Sequence, residues 1–220
     1  MSVCSRNLPS NHCAPGSRRP AFVVCMLAGA LLLAACGASS TRYYVLDSQP
    51  AAKVLPQAQT RSIAIRQIEI PPYLDRPKLV VRDADNQMHI AEYEQWGGHL
   101  RDNIARTLAE NLAARLEGVA VSVAPFPGSL DADTSLLVDI RRFERMPDDH
   151  VHLQLQWHVE MPDGVRITRL ETLRSQARTG ADDYAAITRA MSSLLAVLSD
   201  HMSAAIAGGA GQGAAGAPAP

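Results

Sequence analysis

Cysteine is confined to the first 36 positions of this 220-residue chain, where it stands at Cys4, Cys13, Cys25 and Cys36. The longer remainder has no thiol, which excludes a disulfide and a cysteine-ligated zinc site within it. A fold built from that remainder must therefore be stabilised by its hydrophobic core, even in an oxidising compartment.

The chain also has no excess of positive or negative charge, since it contains 21 Lys and Arg residues and 22 Asp and Glu residues. Residues 1–35 contain three arginines and no acidic residue, so the chain without them carries 18 basic against 22 acidic groups. A nucleic-acid binder is expected to be basic, so we expect no nucleic-acid partner. The low aromatic content of 5% does not favour a carbohydrate-binding module.

Motifs for catalysis or metal binding are missing as well. The sequence has no Gly-x-Ser-x-Gly motif and no phosphate-binding glycine loop between a strand and a helix. His150, His152 and His158 share one face of a predicted strand, but His158 lies about 20 Å beyond His152 in extended chain. No cysteine or acidic cluster completes a site, so a solvated polar face is favoured. The sequence predicts no catalytic residue, no metal site and no cofactor, and hence not an enzyme.

The N-terminal segment has the features of an export signal. Arg18 and Arg19 precede an uncharged apolar run of 15 residues, Ala21 to Ala35. A helix needs about 20 residues to cross a bilayer, so this run is too short to be a transmembrane span. Its length is typical of the apolar region of a signal peptide. We therefore predict a signal peptide over residues 1–35.

A lipobox follows directly, in the sequence Leu33-Ala34-Ala35-Cys36. Small side chains before the cysteine give a signal peptidase access to the bond between Ala35 and Cys36. The Cys36 thiol is the nucleophile that accepts a diacylglyceryl group. The sequence thus predicts a lipoprotein that is attached to a lipid bilayer through Cys36.

The chain after cleavage divides into three parts. Residues 36–41 are predicted to be a lipidated tether, and residues 42–206 a single folded domain. Residues 207–220 are a low-complexity Gly/Ala/Pro tail that we expect to be disordered.

Hydrophobic periodicity predicts eight strands and two helices in the domain. The strands are expected at residues 42–48, 62–70, 78–82, 88–93, 119–123, 135–145, 150–161 and 165–178. The first helix should begin near His99 and end before Gly118, and the second should span about 182–206. A change of phase before Ile68 indicates a bulge. The predicted fold class is α+β, with a mostly antiparallel or mixed β-sheet and two amphipathic helices packed on one face.

Apolar stripes identify the buried face of each element. The first helix has Trp96, Leu100, Ile104, Leu108, Leu112 and Leu116. The second has Tyr184, Ile187, Met191, Leu194, Leu195, Leu198 and Met202. In the seventh strand Val151, Leu153, Leu155, Trp157, Val159 and Met161 alternate with polar residues, which predicts one buried and one solvated face.

A local basic cluster consists of Arg141, Arg142 and Arg145. The favoured interpretation is ordinary surface charge that Asp139 and Glu144 balance. Contact with anionic lipid headgroups or with an acidic partner is the functional alternative.

Several sequence stretches together resemble the PqiC-like family of ABC-type transport auxiliary lipoproteins. They are Arg42-Tyr43-Tyr44-Val45-Leu46, Ile63-Ala64-Ile65, Ile68-Glu69-Ile70-Pro71-Pro72-Tyr73-Leu74-Asp75-Arg76-Pro77, Ile90-Ala91-Glu92-Tyr93-Glu94-Gln95-Trp96, Leu100-Arg101-Asp102-Asn103-Ile104-Ala105-Arg106 and Leu108-Ala109-Glu110-Asn111-Leu112. The resemblance covers about residues 42–206. Gly97-Gly98 departs from the family pattern and bears only on where the first helix begins.

The resemblance implies a non-catalytic periplasmic subunit of an intermembrane lipid transport system. Its partner would be a mammalian-cell-entry (MCE) domain transport protein of the inner membrane or periplasm, which it would dock at the outer membrane in support of envelope integrity. Gly37 replaces the Asp associated with inner-membrane retention and so favours the outer membrane's periplasmic face. A carrier that binds phospholipid between its helices and sheet is the alternative, and an envelope hydrolase is disfavoured. A homo-oligomer is left open.

The candidate partner-binding residues are Tyr73, Leu74, Asp75 and Arg76, in a stiff loop bounded by prolines. Exposed aromatic, apolar and Arg side chains on a rigid loop favour protein contacts. In the alternative interpretation the prolines only shape a crossover between strands, and Tyr73 packs inward.

Overall fold

The structure is a computed structural model that describes residues 40–56, 60–83 and 87–209. The predicted signal peptide, Cys36 and most of the tether lie outside the described residues, as do residues 210–220 of the predicted tail. The elements are β1 (Arg42–Tyr44), β2 (Ser62–Glu69), β3 (Lys78–Arg82), β4 (Met88–Trp96), α1 (Leu100–Arg115), β5 (Ala120–Val123), β6 (Thr134–Arg145), β7 (Val151–Glu160), β8 (Arg166–Arg174) and α2 (Tyr184–Gly209).

The strands form two sheets. The larger sheet has the order β5-β2-β6-β7-β8, and the smaller has the order β1-β4-β3. In the larger sheet β2 runs parallel to both β5 and β6, whereas β6, β7 and β8 are antiparallel to one another in turn. In the smaller sheet β3 and β4 are antiparallel to each other, and β1 is parallel to β4. The fold is therefore α+β with mixed sheets, and the predicted fold class is confirmed.

The predicted bulge in β2 is present. The register of β2 against β6 shifts between Ile65 and Gln67. The shift lets Ile63, Ile65 and Ile68 all point into the core, where each is at most 6% exposed. Strict alternation would have placed Ile68 on the opposite face of the sheet.

Both helices bury the stripes that the sequence predicts. Every residue of the first stripe is at most 5% exposed, and every residue of the second at most 6%. α1 packs over β2 and β5, α2 packs over β6, β7 and β8, and the two helices contact each other. Burial of one Leu side chain contributes roughly 1.5–3 kcal/mol, so these stripes are a large part of the fold's stability.

The start of α1 is set by two glycines. A Cβ on Gly97 would lie 3.0 Å from Val45 Cγ1, and Gly98 has a φ of +132°, which side-chain-bearing residues rarely adopt. The chain turns sharply here, and α1 begins at Leu100 after the N-cap residue His99. The predicted start near His99 is confirmed.

Two strands end four residues earlier than predicted because the chain turns toward other partners. β1 ends at Tyr44 rather than at residue 48, since Leu46 is fully buried and its carbonyl accepts a hydrogen bond from Thr107 Oγ1 at 3.1 Å. β8 ends at Arg174 rather than at residue 178, and Thr179 N donates to Asp149 O at 2.7 Å. In contrast, α2 continues three residues beyond its predicted end at Ile206.

α2 is long and apolar enough to cross a membrane by length and composition, with a mean hydropathy of 1.3 in its most apolar window. However, 67% of that window is buried within the fold. The burial identifies α2 as a core helix that packs on the larger sheet.

Candidate functional site: the proline-bounded loop

The loop between β2 and β3 passes from the larger sheet to the smaller sheet. A tight turn shapes it, in which Leu74 N donates to Pro71 O at 2.9 Å and Arg76 N donates to Leu74 O at 2.8 Å. Its last residue is also fixed, because Trp96 N of β4 donates to Pro77 O at 2.7 Å. The prolines restrict φ and the turn bonds restrict ψ, so the loop is rigid.

Tyr73 packs inward rather than toward solvent. Its hydroxyl donates to Glu144 Oε2 at 2.9 Å, and the Arg82 guanidinium carbon lies 5.7 Å from the centre of its ring. Burial, together with the nearby negative charge of Glu144, raises the pKa of Tyr73 to about 12. Tyr73 is half-buried against the core, so its side chain packs inward as in the alternative interpretation, and its part in partner binding stays a prediction.

Leu74 is only 3% exposed and belongs to the hydrophobic core. The expectation that the loop presents this apolar side chain is therefore wrong. The turn that begins at Pro71 directs Leu74 into the space between the sheets, where burial of its side chain is favourable.

Asp75 is the exposed charged residue of the loop, and its neighbour Arg76 is half-buried. Asp75 Oδ2 accepts a hydrogen bond from Arg101 Nη2 of α1 at 3.1 Å, and these two side chains are 37% and 44% exposed. Arg76, Arg101, His99 and Asp102 line a surface depression of about 340 Å³ beside Asp75. The Nε atoms of both arginines are buried and have no hydrogen-bond partner in the described structure. The depression thus presents charged groups of both signs to a partner.

Glu144 of β6 fixes the other side of the loop. Its side chain is fully buried and accepts hydrogen bonds from Tyr73, from Arg82 Nε at 3.1 Å and Nη2 at 3.0 Å, and from the Phe143 backbone N at 3.0 Å. Arg142 Nε lies 3.8 Å away. The carboxylate therefore joins β6 of the larger sheet to β3 of the smaller sheet and to the loop. We name Tyr73, Arg82 and Glu144 the buried anchor.

The basic cluster in β6 is balanced within the chain, as the favoured interpretation predicts. Arg141 lies 3.7 Å from Asp139, and Arg142 lies near Glu144. Arg145 differs from the expectation of surface charge, because it is 6% exposed, pairs with Asp149 and donates to Thr179 O. Its ion pair stabilises the turn between β6 and β7.

The three histidines are separated into different hydrogen bonds. His150 is buried and its Nδ1 lies 2.7 Å from Ser175 O. His152 Nε2 lies 2.8 Å from Asp148 Oδ2, and His158 Nδ1 lies 2.7 Å from Thr168 Oγ1. The described residues contain no group of three or more His, Cys, Asp and Glu side chains that could bind a metal.

Two grooves lie between α2 and β8. The first has a volume of about 810 Å³ and is lined by Ile167, Arg169, Leu170, Glu171, His201 and Ala204. The second, of about 520 Å³, lies beside Leu173, Leu194 and Val197. A hydrogen bond of 2.6 Å between His201 Nδ1 and Glu171 Oε2 closes the space at one point.

Sequence reasoning missed both the buried anchor and the grooves. Glu144 appears in the sequence only as one charge beside basic residues, and its apolar neighbour Phe143 is the single sign that this part of β6 is buried. For β8, the exposed Leu170 among charged and polar residues was the available signal.

Comparison with known proteins gives one family. The family model described as "ABC-type transport auxiliary lipoprotein component" matches residues 44–203. No curated protein matches the sequence.

Solved structures show the same fold at low sequence identity. An uncharacterised protein has a TM-score of 0.61 at 24% identity, over 76% of this chain and 99% of its own. A protein of the family DUF330 from Xanthomonas campestris has a TM-score of 0.57 at 14% identity, over 77% of this chain and 95% of its own.

Proposed function

This chain belongs to the family of ABC-type transport auxiliary lipoproteins, and from that premise we propose that it docks a transport protein at the outer membrane. In this proposal Cys36 attaches the chain to the periplasmic face of the outer membrane. The partner is an MCE-domain protein of an intermembrane lipid transport system, and the docked complex supports envelope integrity. The chain itself catalyses no reaction.

The packed core is the observation that supports docking over carriage of lipid. A carrier that binds phospholipid between its helices and sheet needs a cavity there. Met191, Leu194 and Leu198, which would line such a cavity, are at most 4% exposed and pack in the core cluster, although Leu194 also borders the second groove. Protein interiors packed in this way leave no space for an acyl chain. The two grooves beside β8 are open to solvent and would leave an acyl chain largely in water.

The rigid loop supplies a surface suited to docking. Asp75 is exposed, the half-buried Arg76 and Arg101 line the depression beside it, and the buried anchor and the turn at Pro71 fix the backbone beneath them. A preorganised surface loses little conformational entropy on binding. Charges of both signs select a partner with complementary charges and fix its orientation.

The short tether is consistent with a docking subunit. Five residues separate Cys36 from Arg42, the first residue of β1, and the six Cα–Cα steps between the two span at most about 20 Å in extended chain. A lipid on Cys36 would therefore keep the folded domain beside the membrane surface, where a transport protein that bridges the envelope must arrive.

The proposal is tested by capture of partners from cross-linked cell envelopes. The lipidated chain is purified, and the proteins bound to it are identified by mass spectrometry. Three variants are compared with it: Cys36→Ala removes the lipid, Arg76→Glu reverses a charge of the loop, and Lys53→Glu reverses an exposed charge outside the loop. We expect an MCE-domain protein with the unmodified chain and with Lys53→Glu, and less of it with Cys36→Ala and Arg76→Glu.

One outcome would contradict docking, and a second would contradict only the role of the loop. Recovery of no transport component, together with phospholipid that co-purifies in proportion to the protein, would support the carrier. Equal recovery from Arg76→Glu and Lys53→Glu would exclude the loop as the docking surface, although another surface of the chain could still bind the partner.

A further inference from the structure

The exposed side chains at β1 form an apolar and aromatic patch on the smaller sheet. Tyr43 is 67% exposed, and Val45, directly after the strand, is 47% exposed. Tyr44 and Leu46 alternate with them and pack against the core. β1 pairs with β4, in which Tyr93 is a third exposed side chain, at 39%. We name Tyr43, Val45 and Tyr93 the tyrosine patch.

The strand register places these three side chains close together. Tyr43 lies opposite Gln95, and Tyr93 stands two residues before Gln95 in the same strand. Neighbouring strands lie about 4.8 Å apart and rise about 3.3 Å per residue, so the Cα atoms of Tyr43 and Tyr93 are roughly 8 Å apart. Val45 lies beside Gly97, where an added Cβ would be 3.0 Å from Val45 Cγ1. The patch therefore joins two phenol rings and one aliphatic side chain on one surface.

The tyrosine patch lies where the chain leaves the fold toward Cys36. Arg42, the first residue of β1, is six Cα–Cα steps from Cys36, or at most about 20 Å in extended chain, and Tyr43 is the next residue. Among the exposed large apolar side chains of the described structure, Tyr43 and Val45 are the two nearest to Cys36 in sequence. Acyl chains on Cys36 would lie in a bilayer, so the patch would always remain within about one tether length of the lipid headgroups.

We propose that the tyrosine patch lies in the headgroup region of the bilayer to which Cys36 attaches the chain. The two tyrosines lie at the level of the headgroups, and Val45 contacts the upper part of the acyl chains. Tyrosine suits this position because its ring is apolar and its hydroxyl is polar, and it is enriched at membrane interfaces. The inference rests on the lipid anchor of the proposed function, and it does not depend on the MCE-domain partner.

The anchor makes so small a patch sufficient. Binding of a protein to a membrane interface strengthens with the apolar area that it buries, and three side chains bury little. Once the lipid of Cys36 is inserted, the second contact becomes intramolecular, and the short tether gives it a high effective concentration. The patch then sets the orientation of the domain on the membrane, while the lipid provides the attachment.

The charges beside the patch do not require an anionic lipid. The patch borders a depression of about 380 Å³ that Arg189 and Asp47 also line. Arg42 is neutralised by Glu94, whose Oε1 lies 2.6 Å from Arg42 Nη2. Lys78 of β3 lies in the same row of the sheet as Tyr43. Since charges of both signs are present, we expect contact with zwitterionic as well as anionic lipid.

A tryptophan in the patch tests the contact directly. Tyr43→Trp and Val45→Trp are made in the full chain, with Leu130→Trp as a control at a residue that is 74% exposed and lies between β5 and β6. The native Trp96 and Trp157 are at most 5% exposed, so the unmodified chain gives the background emission. The lipidated proteins are reconstituted in vesicles of phosphatidylethanolamine and phosphatidylglycerol. The acyl chains carry bromine, a fluorescence quencher, either near the glycerol or near the terminal methyl group.

We expect Tyr43→Trp and Val45→Trp to show blue-shifted emission that bromine quenches. Bromine near the glycerol should quench more than bromine near the methyl group, because the patch lies at the interface. Leu130→Trp should keep the emission of a solvent-exposed indole and be quenched no more than the unmodified chain. The same pattern is expected in vesicles of phosphatidylethanolamine and phosphatidylcholine, which contain no anionic lipid.

Three results would overturn the contact. Quenching of both patch variants that is no greater than that of Leu130→Trp would place the patch in water. Blue-shifted emission without quenching by bromine would mean that protein, such as a second copy of the chain, covers the patch. Quenching that requires phosphatidylglycerol would mean that charge attraction, and not the apolar patch, makes the contact.

The anchor and the docking function are separated from the patch by two further readouts. An unmodified chain that does not float with the vesicles would overturn the lipid anchor and this contact together. The vesicles contain no transport protein, and capture of the MCE-domain protein is measured separately in cell envelopes. Membrane contact through the patch and docking of the partner can therefore fail independently.

Discussion

At the scale of single residues, Tyr73 determines how one part of the protein responds to alkaline pH. Its pKa is raised to about 12 by burial and by Glu144, so the folded state favours the neutral phenol. A pKa raised on folding contributes stability below the unfolded value of about 10, and this stability is lost as the pH rises from 10 toward 12. We expect the urea concentration at the unfolding midpoint to fall across this interval. The absorbance of tyrosinate should show Tyr73 as the phenol that titrates last, after Tyr44 and Tyr184, whose pKa values burial also raises.

The matched variants for this measurement are Tyr73→Phe and Tyr43→Phe, since Tyr43 is 67% exposed. The last titration step should disappear in Tyr73→Phe, which keeps the steps of Tyr44 and Tyr184, and it should persist in Tyr43→Phe. If both variants kept it, the raised pKa would belong to another tyrosine.

The loop also shows which part of a site a sequence can predict. Its bounds follow from the prolines, and Asp75 is accessible as expected. The directions of Tyr73 and Leu74 depend on Glu144, about 70 positions later in the chain, and on the core between the two sheets. The local sequence pattern carries no information about a partner as distant as Glu144. From the sequence alone, inward packing of Tyr73 is therefore one of two alternatives. The role of these residues in partner binding remains a prediction.

At the scale of elements, the turn before α1 depends on Gly98. Its φ of +132° is unfavourable for any residue with a Cβ, although an added Cβ would have room, at 3.7 Å from Asn103 Nδ2. We expect Gly98→Ala to lower the free energy of unfolding by about 1–3 kcal/mol because of backbone strain. Chemical denaturation measures the change.

Gly97→Ala is the informative control, because the added methyl group would be crowded by a neighbouring side chain and would not strain the backbone. The added Cβ would lie 3.0 Å from the end of Val45, a side chain that is 47% exposed and able to move. We expect a smaller loss than for Gly98→Ala. Equal losses would mean that crowding at the end of β1, and not the φ angle, sets the start of α1.

The elements themselves were largely predictable. The apolar stripes of α1 and α2 and the alternation in β7 identify their buried faces because packing requires them to. The division of the strands into two sheets was not predictable in the same way, since β3 and β5 have similar local patterns and belong to different sheets. Sheet membership depends on contacts between distant segments, as does the open edge at β8.

At the scale of the whole molecule, Glu144 connects the two sheets. Its carboxylate has no exposure and pairs with Arg82 of β3, whose side chain is 14% exposed. Removal of one partner of a buried ion pair leaves an unpaired charge and costs about 3–5 kcal/mol. We expect Glu144→Ala to lower the free energy of unfolding by about that amount, and hydrogen exchange to increase first in β3 and β4.

The control is Glu110→Ala, since Glu110 forms an exposed pair with Arg106 within α1. An exposed pair at this spacing contributes only about 0.3–0.5 kcal/mol. Two results would show that Glu144 does not couple the two sheets. One is a similar loss of stability in Glu144→Ala and Glu110→Ala, and the other is hydrogen exchange that increases evenly over both sheets in Glu144→Ala.

The short first strand has a mechanical consequence. Any pull on the membrane anchor enters the domain at Arg42, where β1 has only three residues and an ion pair of 2.6 Å with Glu94. Directly behind it, the carbonyl of Leu46 is bonded to Thr107 and Arg106, and Asp47 N donates to Ser192 Oγ. Under tension β1 would detach first and lengthen the tether. The hydrogen bonds around Leu46 would then transmit the remaining force to both helices. The domain can thus yield by a few residues without unfolding.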